Sequence, residues 1–542
     1  MARYAATWVG SAFDVPRRPA HYRIDAHPAS GVSPLIWLIF PVTLGLAITR
    51  QSLWIDEGFT VWFASHNSFR SFLEVLIGSR GAPGDPQFIF YLLHMWGWIK
   101  LFGSSELSLR SANIPFAVIF IYTMYWASRR LFWNRNLWAL FCLSPFFWFY
   151  LNEARPYVAL LAFSSVATVA LVAFLVEPER YGGTAPWFCL LALFLAWGSH
   201  ILAFFLFPTL LIFMLMMISA DSQLGPVFFR HWLRPILWCS PAFAALGIFY
   251  AWVSSFGVNK TGAAPGLRNL AFALYEFAGF AGLGPPRNDI RRSPGLAVFL
   301  PYWPWLLLGV AALIVVVVVA LRLGQSRMSR NMLLSASAGL AIALTISDLQ
   351  HFQVLGRHLA VFLPLVLIPL MLSSKRLSLS SGSSRIIAAA VILLGTAWAI
   401  SDLRLVLMTR YQKDSYREAC SLALSRAQTD RAHILWVADP VTARYYGLTI
   451  TPPAGILPEI KENAAVDWSI RGSGVDARGW SLEQAQAFLS VSNTPIILVM
   501  SKPETSDPNR AWSSLVDSSG FSPLGQFNAF SVFEWRPSRG SI

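Results

Sequence analysis

Apolar stretches of bilayer length alternate with short basic turns along the first three quarters of the chain. The run LLLGVAALIVVVVVAL (Leu306 to Leu321) is apolar on every side of a helix, where a helix on a soluble core would show a single apolar stripe. Eleven membrane-spanning helices are predicted, at about 34–49, 108–127, 137–151, 157–176, 186–199, 201–218, 235–255, 297–321, 331–347, 358–373 and 386–402. Threaded this way, the basic turns carrying Arg129, Arg130, Arg230, Arg327, Lys375 and Arg385 all fall on one side of the membrane, as the positive-inside bias requires. Residues 1–33, polar and without the apolar core of a secretory signal, are expected to be a cytoplasmic tail. The segment 86–102 is read as an amphipathic helix in the outer interface, where Trp96, Trp98 and Lys100 suit headgroup depth. Its alternative, a true crossing, would place Arg129 and Arg130 outside.

From about residue 403 the pattern changes. Charges and turns appear and apolar runs shorten to strand length. YREACSLALSRA reads as helix, HILWVAD as strand, PVTARYYGL as helix, TPIILVMSK as a buried strand, NRAWSSLVDSSG as helix and AFSVFEWRP as a final strand. Such alternation predicts an extracytoplasmic α/β domain over 403–542, following a transmembrane domain over 34–402 with a first outer loop at 50–107.

Composition narrows this further. Of 542 residues, 55% are apolar and only 13% charged, so each charge needs a reason. The net charge of +14 could suggest nucleic acid, but the cations punctuate apolar runs instead of forming a patch. The four cysteines show no metal spacing and no disulfide framework.

The topology collects ionisable residues on one face: Asp56, Glu57 and Asp85 from the first outer loop, Glu153 and Arg155 from the second, His200 from the third, and Arg357 and His358 before the tenth span. Taken singly each has a structural explanation. Acids are favoured at a helix start, Arg357 could reach lipid headgroups, Glu153 could pair with Arg155, and His200 could sit satisfied between helices. Together, acids and bases from separate loops meeting at one membrane face suggest a site.

LWIDEGFT, DPQFIFYLLHMWGWIKLFGSSELSLRSANIPFAV, NEARPYVALLAF, GSHILAFF and GRHLAVFLPLVL, in this order, resemble landmarks of the C-type membrane glycosyltransferases that use polyprenyl-phosphate sugars. Protein O-mannosyltransferases and aminoarabinose transferases are the branches concerned, and the likeness runs over about 34–410. Asp85-Pro86-Gln87 departs from the His-Pro-Pro of many relatives. The resemblance implies a GT-C-like helical fold in a bacterial inner membrane, with the C-terminal domain periplasmic. It implies sugar transfer from a polyprenyl-phosphate donor to a hydroxyl on a protein, glycolipid or polysaccharide. By the same resemblance Asp56 is the general base, Glu57 and Glu153 share or orient the catalytic site, and Asp85, Arg155, Tyr157, His200, Arg357 and His358 bind substrate. The resemblance fixes no cofactor and requires no nucleotide pocket, and a divalent metal between outer-loop acids is left open. A lipid flippase or transporter, and a ligase of lipid-linked glycans, are the competing readings.

Overall fold

The computed structural model describes residues 34–77, 86–131, 137–255, 267–292, 295–323, 327–350, 354–373, 382–451, 468–518 and 520–537. The expected N-terminal tail and Asp85 lie outside them. Among the described residues seven helices are long and apolar enough to cross a membrane: Glu106–Arg130, Tyr157–Val176, Ile201–Ala220, Leu224–Trp252, Leu296–Val315, Arg327–Gln350 and Ala389–Leu407. Shorter apolar helices cover Trp37–Ala47, Ile89–Phe102, Ala185–Ser199 and Gly356–Pro369.

The differences from the expected spans have local causes. The stretch expected to cross at 137–151 is two short helices, Leu137–Cys142 and Pro145–Leu151, broken where Pro145 follows Ser144; a proline supplies no N–H and restricts the residue before it, so it starts a helix and does not continue one. The segments after His200 and before Leu363 begin as 3₁₀ turns, Ile201–Phe205 and Gly356–Phe362. In each, a histidine Nδ1 accepts a backbone N–H: His200 from Leu202 at 3.1 Å and His358 from Leu355 at 3.1 Å. The segment 50–107, expected as the first outer loop, is largely helical where described, with helices Ile55–Ala64, Phe69–Ile77 and Ile89–Phe102.

The Tyr157–Val176 helix is the central post. It packs on Ile114–Arg130 and Ala185–Ser199, and nearly every side chain along it is buried. Between apolar surfaces there is little hydrophobic drive, so small residues and internal hydroxyl bonds carry such packing. Ser164, Ser165 and Thr168 are buried there, their hydroxyls returned to the helix's own carbonyls. On the outer helices large apolar side chains such as Trp238 and Ile248 are exposed, the surface a helix presents to lipid.

The C-terminal part is a sheet with helices, as the change of pattern predicts. Its strands are β1 (His433–Val437), β2 (Leu448–Thr451), β3 (Gly472–Asp476), β4 (Ile496–Ser501), β5 (Ser522–Phe527) and β6 (Phe530–Trp535), in the order β2-β3-β1-β4-β6-β5. The first four are mutually parallel, and β6 and β5 add an antiparallel edge. Strands β2, β3 and β5 and the helix Leu482–Val491 carry weaker apolar patterns and are not expected from the sequence.

The helix after β1, Pro440–Tyr445, is capped by Asp439, whose carboxylate accepts the N–H groups of Val441 (3.1 Å) and Thr442 (3.2 Å). It lies against the Ile55–Ala64 helix, so the carboxyl edge of the parallel strands, where α/β sheets bind ligands, faces the first loop. The seam is specific. Tyr446 Oη accepts the Leu53 N–H at 2.6 Å, and Tyr445 Oη donates to the Ser104 carbonyl at 2.7 Å. Gly58 leaves no room at all, since a Cβ there would come within 2.1 Å of Thr442 Oγ1 and 3.0 Å of its backbone Cα. Gly58→Ala should therefore push the two helices apart, at a cost of about 1–3 kcal/mol. A drop in thermal midpoint, with new protease cleavage between 403 and 440, is the expected result.

Candidate functional site

Asp56 and Glu57 occupy the first turn of the Ile55–Ala64 helix, where the helix dipole favours negative charge. One helical position apart, they point in different directions and meet different partners.

Glu57 is fully buried. Arg110, also fully buried, binds it through a two-pronged contact, Nε to Oε1 at 3.0 Å and Nη2 to Oε2 at 2.9 Å. The other Arg110 donors go to the carbonyls of Thr49, Gln51 and Ser52 (2.9, 2.7 and 3.1 Å), so the whole guanidinium is satisfied. Glu57 Oε1 also accepts the Ala154 N–H at 2.8 Å and lies 3.1 Å from Lys413 Nζ. Lys413 donates as well to the Asn152 carbonyl. This carboxylate therefore joins three segments: the first loop, the Asn152–Arg155 turn and the connection into the C-terminal domain. Burial alone would raise its carboxyl, but Arg110, Lys413 and the hydrogen bonds outweigh that and hold it at about 2.

Burial presses the other way on Lys413, bringing its ammonium down to about 8 against its attraction to Glu57. The unfolded chain then binds one more proton than the folded one between about pH 8 and the ordinary lysine value of 10.5. Stability is thus expected to rise with pH across that window. Lys413→Met should flatten the rise, measured as thermal midpoints in detergent from pH 7 to 10.

Asp56 is the accessible acid, its side chain 24% exposed. Arg357 Nη1 donates to its Oδ2 at 2.8 Å, and Arg155 Nη2 stands 4.0 Å from the same oxygen. Arg155 Nη1 also donates to Thr60 Oγ1 at 3.1 Å. Burial raises the Asp56 carboxyl, and the two guanidiniums more than reverse it, so Asp56 is held ionised below its usual range.

An aromatic wall sets the arginines. The Arg155 guanidinium lies over Phe88 at 4.5 Å, and that of Arg357 over Trp54 at 5.6 Å. Tyr157 lies between them, 5.9 Å from Arg155 and 5.7 Å from Arg357. The His200 ring is 5.8 Å from Tyr157 and 5.8 Å from His358. Burial, with Arg155 and Arg357 nearby, pushes His200 down to about 3, so it is a neutral ring. Its Nδ1 accepts, and the proton is assigned to Nε2.

Of the residues singled out from the sequence, Asp56, Arg155, Tyr157, His200, Arg357 and His358 meet at this end of the helix bundle. Glu153 lies on the adjoining turn, 1% exposed, with burial raising its carboxyl. Glu57 sits below, in the internal ion cluster. Arg110 and Lys413 were not singled out. Arg110 carried a signal, since a cation within an apolar helical stretch demands a partner. For Lys413 the sequence offers none, because its partners are set by the docking of the C-terminal domain. Among the described residues no three His, Cys, Asp or Glu side chains gather as metal ligands.

The fold, a helical bundle with membrane-length apolar helices and a C-terminal α/β domain, is shared with a solved membrane-protein architecture. ArnT from Cupriavidus metallidurans in the apo state superposes with a TM-score of 0.51 over 92% of this chain and 97% of that one, at 13% identity. ArnT from the same organism bound to undecaprenyl phosphate gives 0.50 over 93% and 98%, at 12% identity. No family model matches the sequence, and no curated protein matches it.

Proposed function

We propose that the protein is a glycosyltransferase that moves a sugar from a polyprenyl-phosphate donor to an acceptor hydroxyl at the outer face of a bacterial inner membrane. The observation that carries this reading is the ionised, part-exposed Asp56 flanked by the guanidiniums of Arg357 and Arg155. The shared architecture with ArnT, one of whose structures holds undecaprenyl phosphate, supports it.

In the reaction the acceptor oxygen bonds to the anomeric carbon as that carbon's bond to the phosphate oxygen breaks. Asp56 takes the hydroxyl proton, and the departing lipid phosphate takes the bonding pair. The sugar passes through an oxocarbenium-like state. Charge growing on the phosphate is met by preorganised donors, for which Arg357 and Arg155 have the matching forked geometry. While Arg357 is paired with Asp56 the carboxylate is a weak base. A phosphate that draws Arg357 away frees Asp56 and raises its basicity, coupling donor binding to activation of the acceptor. The acceptor is a protein, glycolipid or polysaccharide hydroxyl.

The test is transfer or release of radiolabelled sugar from undecaprenyl phosphate by the purified protein in nanodiscs. Movement of the intact lipid across the bilayer without loss of its sugar would overturn the reading in favour of a flippase. Arg357→Ala should lower kcat by about a hundredfold, with less effect on donor KM. Unchanged kinetics would remove Arg357 from the phosphate.

A further inference from the structure

Beside the Asp56 centre lies a second, partly buried polar cluster that the proposed proton transfer does not use. It closes on itself through contacts between three parts of the chain. The Phe149 and Tyr150 rings are 5.2 Å apart, and Tyr150 packs on Tyr157 at 5.0 Å. Arg357 lies over Tyr157. Its neighbour Gly356 sits so tightly against Glu276 that a Cβ there would come within 2.6 Å of the carboxylate. Arg287 Nε donates to Glu276 Oε1 at 2.7 Å, and its guanidinium covers Phe149 at 4.2 Å, completing the circuit.

Three atoms in this circuit or on the turn beside it are buried with no hydrogen-bond partner among the described residues: Tyr150 Oη, Glu153 Oε2 and Arg357 Nε. Glu153 follows Tyr150 on the same turn, its N–H bonded to the Tyr150 carbonyl at 3.2 Å. Buried polar atoms are almost always satisfied. Three unsatisfied ones from two separate segments, next to a catalytic centre, mark where a polar ligand completes the set.

We infer that the cluster of Tyr150, Glu153, Glu276, Arg287 and Arg357 holds the sugar ring of the donor, and that it is built for a neutral, hydroxyl-bearing sugar and against a cationic amino sugar. The assignment rests on the lipid-phosphate reading above. A phenol, a carboxyl and a guanidinium N–H offer both donors and acceptors, the pattern sugar hydroxyls match. Arg357 is shared: its Nη1 reaches the Asp56 centre, while its Nε is left for the ring. The charge balance gives the selectivity. Glu276 is matched by Arg287, and the buried Glu153 is already faced by Lys413, Arg287 and Arg357. A sugar ammonium would meet Arg287 and Arg357 without an unmatched carboxylate to receive it.

The experiment measures binding at pH 7 to wild type, Tyr150→Phe and Glu153→Gln in nanodiscs. Three probes are used: bare undecaprenyl phosphate, the same lipid carrying a neutral hexose, and the same lipid carrying a 4-amino pentose. Wild type should bind the hexose lipid about tenfold more tightly than the bare lipid, a difference of about 1.4 kcal/mol, and the amino-sugar lipid no more tightly than the bare one. Each variant should lose most of the hexose advantage and keep its affinity for the bare lipid. Equal weakening of bare and hexose lipids would overturn the sugar assignment, and tighter binding of the amino sugar would overturn the selectivity. Failure of wild type to bind even the bare lipid would overturn the lipid-phosphate reading and this assignment with it.

Discussion

Asp56→Asn is expected to leave a folded protein that still binds its lipid donor but transfers sugar about 10²–10⁴-fold more slowly, the usual worth of a positioned general base. The amide keeps the size and the hydrogen-bonding oxygen of the carboxylate, so the aromatic wall behind Arg155 and Arg357 need not move. The ion pair that is lost is part-exposed, with Asp56 24% and Arg357 18% accessible. Solvent screens such a pair, so little stability depends on it. What disappears is the group that accepts the hydroxyl proton, and with it the negative charge that holds Arg357 before a phosphate arrives. Donor affinity should therefore stay level or rise while kcat falls. Parallel measurement of undecaprenyl-phosphate binding and radiolabel turnover separates these. A well-folded variant with normal turnover would remove Asp56 as the base.

How far this site was legible depends on the range of the interactions that form it. Periodicity reveals the long helices because an all-round apolar segment such as Trp303–Leu323 needs no partner to declare its environment. It fails at Ser144-Pro145, where one proline divides an apolar run that composition alone would carry through. In the C-terminal domain the buried strands β1, β4 and β6 are plain as apolar runs. The edge strand β5, SPLGQF, largely exposed and containing Pro523 and Gly525, reads as loop.

The same divide runs through the site. Asp56, Arg155, His200 and Arg357 stand out because charge is rare near the membrane boundary. That Asp56 meets Arg357, 301 positions away, is a matter of tertiary packing that no local pattern encodes. The adjacent Asp56 and Glu57 look equivalent in the sequence and become opposites only when Arg110 and Lys413 arrive beneath one of them. The two acids do begin a helix, and in the proposed reaction one of them, Asp56, is also the base.

Glu57→Gln should accordingly act on stability first, at about 3–5 kcal/mol, the cost of removing one partner from a buried ion pair. The amide leaves two buried cations facing each other. Lys413, already held at about 8, can shed its proton, but Arg110 cannot shed one at any accessible pH. Arg110→Met is the milder change, because Lys413 and the Ala154 N–H remain to hold Glu57. Combining Glu57→Gln with Arg110→Met should recover much of the loss, since an apolar replacement of a buried pair is often close to neutral.

The pH dependence gives a second signature. A carboxyl whose ordinary value is 4.5 and which is held at about 2 in the fold lends stability that is complete above pH 4.5 and fades as pH falls towards 2. That contribution is roughly 3 kcal/mol, and Glu57→Gln should lack this acid limb. Thermal midpoints of the four proteins, taken from pH 7 down to 3, test both points. A Glu57→Gln protein with the wild-type midpoint, yet as inactive as Asp56→Asn, would move Glu57 from the foundation of the site into its chemistry.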